Sequence, residues 1–165
     1  MLYKHLICLL AITWAAAQTK DKPMPDQLVS LKTKCRDNER CHYDGQDLFL
    51  EISIINVGQA PLGYPLEYRQ ESGPSIRLVD TRTKREAYLM THLADPDLRE
   101  KFTEIAPGKS VVLEWVIAVG EINQFATPLV DVSAEINLTA EVEVGGQRVK
   151  TSASDTIHIT GRRRP

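Results

Sequence analysis

The sequence has few of the residues that build active sites. Of its 165 residues, three are cysteine, four are histidine and 6% are aromatic. It contains no His-Glu-x-x-His zinc helix, no Gly-x-Ser-x-Gly elbow and no phosphate-binding glycine loop. Twenty lysines and arginines nearly balance 22 aspartates and glutamates, so the chain is no polycation built for nucleic acid. These absences favour a binding protein over an enzyme, although a dispersed catalytic triad needs no motif.

The overall composition is that of a single globular domain. Hydrophobic residues make up 42% of the chain and charged residues 25%, which argues against disorder, collagen and coiled coils. A domain usually has ~100–200 residues, so this length predicts one domain. Beyond the N-terminal segment, no apolar run approaches the length of a membrane-spanning helix, and we expect no such helix in the mature chain.

Residues 1–17 resemble a secretory signal peptide. Lys4 supplies a short charged start, residues 6–12 are apolar, and small residues lead up to Ala17. We expect cleavage after Ala17, a polar extended lead-in over residues 18–27, and export to a periplasm or the extracellular space. The two alternatives are an uncleaved anchor and a lipoprotein modified at Cys8, which lies early for that role.

Export changes the meaning of the remaining cysteines. In an oxidising compartment, Cys35 and Cys41 are expected to form a disulfide. A loop this short contributes roughly 2–2.5 kcal/mol in the chain-entropy model. The alternatives are a redox pair and a metal site. The spacing is not the two-residue gap of redox motifs, and His42 alone adds too few ligands for zinc.

Alternating apolar and polar residues predict strands through most of the chain. Residues 136–144 give the clearest pattern, and Gly145-Gly146 then predicts a two-residue hairpin loop. Residues 110–119 are apolar on both faces, which is typical of a central or covered strand. The other predicted strands cover 28–34, 48–54, 76–80, 87–90 and the return strand from 149 to 159, interrupted by a bulge or loop at 151–154.

One short helix is predicted, over residues 95–102. Asp95 can cap it, Pro96 suits its first position, and Asp97 lies near the positive end of the helix dipole. The helix falls inside a long connection, residues 91–104. Long ordered connections are often functional.

Seven or eight strands with one short helix predict an all-β fold. We expect an antiparallel, immunoglobulin-like β-sandwich over residues 28–160, followed by a basic tail at 161–165. A closed barrel is the alternative architecture. No internal repeat or low-complexity tract is visible in the sequence.

Two turn motifs carry a resemblance to a known group of modules. Asn56-x-Gly58-x-x-Pro61 follows an alternating strand, and the sequence from Ile105 to Ser110 precedes a valine-rich strand. The region 47–119 thereby resembles secreted immunoglobulin-like modules, including the intracellular proteinase inhibitor family and the domain preceding deuterolysin-type metalloproteases. The chain contains no protease domain. The resemblance implies the fold and the binding of proteins, and it transfers no active-site residue.

Two segments are the best candidates for recognition of a partner protein: the 91–104 connection and the segment 63–68, expected to be an edge strand or loop. Surface tyrosines make rigid contacts at interfaces. In the alternative interpretation, Leu66 and one tyrosine pack inward. The candidate contact residues are Tyr64, Tyr68, His92, Asp95, Asp97, Arg99 and Lys101.

Other polar features receive structural interpretations. His92 with Asp95 and Asp97 could form an oxygen-rich cation site, but helix capping is the preferred role, and we predict no metal and no cofactor. His158 is expected on the solvent face of the last strand. Asn137 begins an Asn-Leu-Thr sequon, which matters only in a eukaryote.

The sequence therefore predicts an exported, non-enzymatic β-sandwich that binds another protein. Its sharpest form is an inhibitor or immunity-like protein acting against a hydrolase, which rests on the resemblance. The alternative is a carbohydrate- or cell-envelope-binding module that uses Tyr64, Tyr68 or Trp115 as a stacking platform. Trp115 alternates with core residues and is expected inside.

Overall fold

The computed structural model describes residues 27–36, 38, 40–125 and 128–162. The predicted signal peptide, the lead-in up to residue 26 and the last three residues of the basic tail lie outside the described residues. Within the described ranges, no helix has the length and apolar character needed to cross a bilayer.

Within the described ranges, ten strands form two sheets, which confirms the predicted all-β sandwich but exceeds the seven or eight strands expected. The strands are β1 (Val29–Cys35), β2 (His42–Tyr43), β3 (Leu48–Asn56), β4 (Leu62–Tyr64), β5 (Ser75–Asp80), β6 (Glu86–Tyr88), β7 (Thr103–Ile105), β8 (Ser110–Ile117), β9 (Leu129–Val144) and β10 (Gln147–Arg162). The first sheet has the order β1-β3-β8, and the second has the order β2-β10-β9-β4-β7, with β5 paired to β9 and β6 to β5. The pairings of these strands are antiparallel except the short parallel contact of β10 with β2.

The core follows the alternation of the strands. Along β3 and β9 every second side chain is buried, so one face of each strand packs inward. Burying such an aliphatic side chain contributes about 1.5–3 kcal/mol. A hydrogen bond from the Thr33 N–H to a carboxylate oxygen of Asp155 (2.6 Å) links β1 to β10 across the two sheets. The fully buried aliphatic residues include Leu50, Ile52, Ile54, Ile76, Leu78, Leu113, Ile117, Ala134, Ile136, Val142 and Ile159.

The hairpin of β9 and β10 is continuous. Its turn glycines, Gly145 and Gly146, have φ values of 58° and 76°, which confirms the predicted two-residue loop. The predicted break at 151–154 is wrong, because pairing runs without a bulge along the whole of β10. Thr151 and Ala153 keep the inward alternation with small buried side chains. The strand also continues through the first two residues of the predicted tail, 161–165.

The predicted central or covered position of residues 110–119 is wrong. The strand, β8, pairs only with β3 among the described residues and is an edge of its sheet. Its core face buries Leu113 and Ile117, whereas Val112 and Val116 are 42% and 39% exposed beside Phe49, which is 40% exposed. The strand ends at Ile117, and the next residues form a helix instead of extending it.

Helical structure is more extensive than predicted. The α-helices are α1 (Leu66–Ser72) and α2 (Val119–Asn123), and a 3₁₀ helix covers Pro96–Glu100. The 3₁₀ helix is the one predicted at 95–102. Segment 63–68 was expected to be an edge strand or loop, but Pro65 ends β4, and a run of good helix formers after it folds as α1.

The two turn motifs behind the resemblance are adjacent in space. The buried Asn56 side chain donates to the carbonyl oxygen of Ile105 (2.7 Å), and the Gly108 N–H donates to the carbonyl oxygen of Asn56 (2.9 Å). Gly108 has φ +70°, as the third position of a type II turn requires. The motifs therefore form one structural corner between β3, β7 and β8.

Candidate partner-binding site

The two segments predicted to recognise a partner lie side by side. Arg99 of the 3₁₀ helix donates a hydrogen bond from Nη2 to the Tyr68 hydroxyl of α1 (2.7 Å). The Arg99 guanidinium also lies over the Tyr68 ring, 4.7 Å from its centroid, and that of Arg69 lies 5.4 Å from it. A guanidinium over an aromatic face is attracted to it, so both cations are drawn to the Tyr68 ring.

Further polar contacts join the same two segments. Lys101 forms an ion pair with Glu67 (Nζ–Oε2 3.7 Å). The main-chain N–H of Asp95 donates to Glu71 Oε2 (3.1 Å). Contacts at both ends of α1 therefore fix the 3₁₀ helix against it. We call the solvent-facing side of residues 67–71 and 92–101 the α1–loop surface.

A tight contact beneath α1 sets the position of this surface. Gly73 ends the helix with φ +76°, and the Trp115 ring occupies the space a Cβ would need: a Cβ built on Gly73 would lie 2.3 Å from the ring. The imidazole of His92 meets the same indole edge-on, with ring centroids 5.4 Å apart. The main-chain N–H of His92 donates to the main-chain carbonyl oxygen of Ser72 (2.9 Å). Trp115 is half-buried and acts here as packing.

Most of the predicted contact residues face solvent. Tyr68 is half-buried, and the predicted residues on the connection are exposed. Asp95 and Asp97 belong to one cap, because the Asp97 N–H donates to Asp95 Oδ1 (3.0 Å). The exposed members are His92, Asp95, Asp97, Arg99 and Lys101.

Tyr64 is buried, contrary to the prediction. It is 1% exposed in β4, so the prediction that it contacts a partner at the surface is wrong. Leu62 and Tyr64 alternate with Gly63 along β4, so both side chains point to the buried face of the strand. Burial raises the pKa of Tyr64 to about 12, against a smaller opposing effect of Arg69.

A groove of about 400 Å³ opens beside Tyr68. Arg148 donates to the Glu100 carboxylate from both of its terminal nitrogens, and the bond from Nη1 to Oε1 measures 2.8 Å. Arg69 donates to the main-chain carbonyl of Thr139, at a point of β9 between the stretches paired with β5 and β4. We call this the basic groove; it is lined by Pro65, Tyr68, Arg69, Arg99, Glu100, Thr139, Ala140, Glu141, Arg148 and Lys150.

Sequence reasoning did not identify three of the cations in this groove. Arg148 and Lys150 lie on the exposed face of β10, and Arg69 lies on a helix that was not predicted. The alternation after Gly146 places Arg148 and Lys150 on one face, which was a usable signal. No sequence signal predicts the contact of Arg69 with Thr139, which lies 70 residues later in the chain.

The predicted disulfide is present. Cys35, at the end of β1, is bonded to Cys41, and their Cα atoms are 5.2 Å apart. His158 is exposed on β10, as predicted, and its Nε2 lies 2.6 Å from Asp131 Oδ1. Asn137 is exposed on β9. No group of three His, Cys, Asp or Glu in the described ranges is arranged to hold a metal ion.

Comparison with known proteins gives distant structural likenesses only. No protein-family model matches the chain, and no curated protein matches it. A protein named ApaA from Bordetella pertussis is 13% identical over 79% of this chain and 91% of its own, with a TM-score of 0.37. The sporulation control protein Spo0M of Bacillus subtilis is 13% identical over 80% of this chain and 49% of its own, with a TM-score of 0.37. A protein from Archaeoglobus fulgidus is 11% identical over 79% of this chain and 94% of its own, with a TM-score of 0.35. These low scores support no inference about function.

Proposed function

We propose that this protein is an exported, non-enzymatic β-sandwich that binds another protein through the α1–loop surface. The contact of Tyr68 with Arg99 carries the proposal, because it joins two segments 31 residues apart into one exposed surface on a sheet scaffold. Tyrosine and arginine are enriched among the residues that dominate binding energies. The fixed geometry of the pair lowers the ordering cost of binding.

Export is part of the same proposal. The leader-like composition of residues 1–17 supports it, and so does the Cys35–Cys41 disulfide, a bond that persists in oxidising compartments. An inhibitor or immunity-like role against a hydrolase is the specific form of the proposal. Its support is the resemblance carried by the two turn motifs at Asn56 and Pro107.

The proposal is tested by partner capture from the compartment to which the protein is exported. The wild-type chain should retain one protein stoichiometrically, and the double variant Tyr68→Ala/Lys101→Ala should lose it. Lys32→Ala, at an exposed position on β1 and outside the α1–loop surface, is the matched control and should retain the partner. Point variants are preferable to replacing residues 95–101 with a Gly-Ser linker, because Leu98 in that segment is buried.

Three outcomes contradict the proposal. In the first, the wild-type chain retains no stoichiometric partner, and in the second, Lys32→Ala loses the partner as fully as the double variant. The third is saturable binding on a glycan array that Tyr68→Ala abolishes. That result would favour the carbohydrate-binding alternative.

A further inference from the structure

The basic groove carries an excess of positive charge. Four cationic and two carboxylate side chains line it, although the whole chain has a formal charge of −2. Arg148 is already paired with a carboxylate, because Glu100 accepts hydrogen bonds from both of its terminal nitrogens. Glu141 and Glu143 also lie close enough to raise its pKa. The groove's capacity for a ligand therefore rests on the other three cations.

These three cations have donors to spare. Arg99 hydrogen-bonds to the Tyr68 hydroxyl and to no carboxylate in the described part of the chain. Lys150 lies opposite Glu141 in the β9–β10 ladder, yet no ion pair joins them. Arg69 donates from Nη2 to Thr139 and forms no ion pair with a carboxylate of the described residues. Its positive charge is therefore not neutralised by a paired acidic side chain.

The groove itself indicates which ligand chemistry fits. Arg148 and Glu100 form a two-bond guanidinium–carboxylate pair at its wall, the geometry in which arginine binds a carboxylate most strongly. Tyr68 fixes the guanidiniums of Arg69 and Arg99 beside it. A space of about 400 Å³ is large enough for a few side chains and too small for a folded element.

We propose that the basic groove receives the carboxylate side chains of an acidic segment of the partner, held by Arg99, Lys150 and Arg69. This inference rests on the proposed function, because the groove shares Tyr68 and Arg99 with the α1–loop surface. It adds the chemistry of the partner: an acidic peptide segment approaches this face, and its charge gives the complex a marked salt dependence.

A fluorescently labelled hexaglutamate peptide tests the inference by fluorescence anisotropy with the folded chain. Binding should saturate and weaken as salt is added. Arg99→Gln and Lys150→Gln should each weaken the affinity about fivefold, and Lys32→Gln, outside the groove, should leave it unchanged. Glu100→Gln should strengthen the affinity about threefold, because it releases Arg148 for the peptide. A misfolded variant would lose affinity, so a gain in affinity cannot result from misfolding.

Three results overturn the inference. The first is that hexaglutamate shows no saturable binding; the proposed function is then still decided by the partner-capture experiment. Equal weakening by Lys32→Gln means that the peptide senses only diffuse charge. Binding of heparin with no binding of hexaglutamate assigns the groove to a sulfated polysaccharide instead.

Discussion

The side-chain amide of Asn56 donates a hydrogen bond to the main-chain carbonyl of Ile105 over 2.7 Å, in a fully buried position. The same amide donates to the carbonyl of Ala60 (2.9 Å), and its oxygen accepts from the Gly58 N–H (2.8 Å). One side chain therefore satisfies main-chain groups from the turn after β3 and from β7, 49 residues further on. Asn56 stabilises the corner from which the chain enters β4 and later β8.

Replacing Asn56 with alanine should destabilise the fold by about 3 kcal/mol. The substitution removes three hydrogen bonds and leaves the carbonyl of Ile105 buried without this donor. Urea unfolding followed by tryptophan fluorescence measures the change. Asn137→Ala, at an exposed position, is the control and should change the free energy of unfolding by less than about 0.5 kcal/mol. Equal effects of the two substitutions would contradict the role of the corner.

The Tyr64 hydroxyl has no hydrogen-bond partner among the described residues, although the ring is buried. Tyr64→Phe should therefore leave the stability at neutral pH within about 1 kcal/mol of wild type, or raise it. The effect should differ at alkaline pH. Burial raises the pKa of Tyr64 from 10.0 to about 12, so the unfolded state ionises first and stability falls as the pH rises through this window.

The alkaline loss attributable to Tyr64 is about 2–3 kcal/mol, because its pKa is about 12 in the folded state and 10.0 in the unfolded state. Urea unfolding at pH values between about 9 and about 12 measures it. Tyr64→Phe should remove this loss, whereas Tyr88→Phe, at an exposed ring, should keep it because Tyr64 is still present. An alkaline slope that is the same in Tyr64→Phe and in wild type would contradict the assignment.

Asp80 organises the turn between β5 and β6. Its Oδ1 accepts from the N–H groups of Thr83 (2.7 Å) and Arg82 (3.0 Å). The hydrogen bond from Thr83 is the main reason that the pKa of Asp80 lies below its usual value. A lowered pKa in the folded state means that this stabilisation is complete above the unfolded pKa of about 3.9, and is lost as the pH falls through the folded value.

Asp80→Asn separates this titration from the shape of the turn. An asparagine oxygen can still accept both N–H groups, so the variant should keep most of its stability at neutral pH and lose less than wild type between about pH 5 and about pH 2. Asp80→Ala removes the acceptor and should cost about 1–2 kcal/mol at neutral pH. Chemical unfolding at several pH values measures both effects. Equal acid losses in wild type and Asp80→Asn would show that another group is responsible.

Local pattern explains which parts of the fold could be read from the sequence. The two-residue period of β9 and the Gly145-Gly146 turn are properties of neighbouring residues, and both are observed. The edge position of β8 was not predictable from its own residues. Apolar residues on both faces of a strand do not show whether a second strand pairs with its free edge. The predicted break at 151–154 is wrong, because the small residues Thr151 and Ala153 weaken the apolar alternation without ending the strand.

The candidate site was partly predictable for the same reason. The long connection and the tyrosine-containing segment were identified separately from their composition. Their contact through Tyr68 and Arg99 depends on the register of β4 with β7, which the sequence does not state. The inward direction of Tyr64 follows from its position in β4. The basic groove forms where four elements meet, namely α1, the 3₁₀ helix, β9 and β10, and no single segment carries its signal.

Gly73→Ala tests whether the packing of Trp115 supports the α1–loop surface. A Cβ at residue 73 would lie 2.3 Å from the indole, and φ +76° with ψ 168° is a backbone conformation that residues other than glycine adopt only at a cost. The expected destabilisation is about 3 kcal/mol from overpacking and backbone strain together. Gly120→Ala in α2, where a Cβ meets nothing within 4 Å, is the matched control and should be neutral or slightly stabilising.

The double variant Gly73→Ala/Trp115→Phe separates the two causes. The smaller phenyl ring relieves the steric conflict and leaves the backbone strain, so the Gly73→Ala step should cost about 1–2 kcal/mol when Trp115→Phe is already present. A cost as large as in the wild-type background would mean that strain alone disfavours alanine. In the partner-capture assay, Gly73→Ala should weaken binding where Gly120→Ala does not, because Ser72 and His92, which hydrogen-bond to each other beside Gly73, must move with the indole.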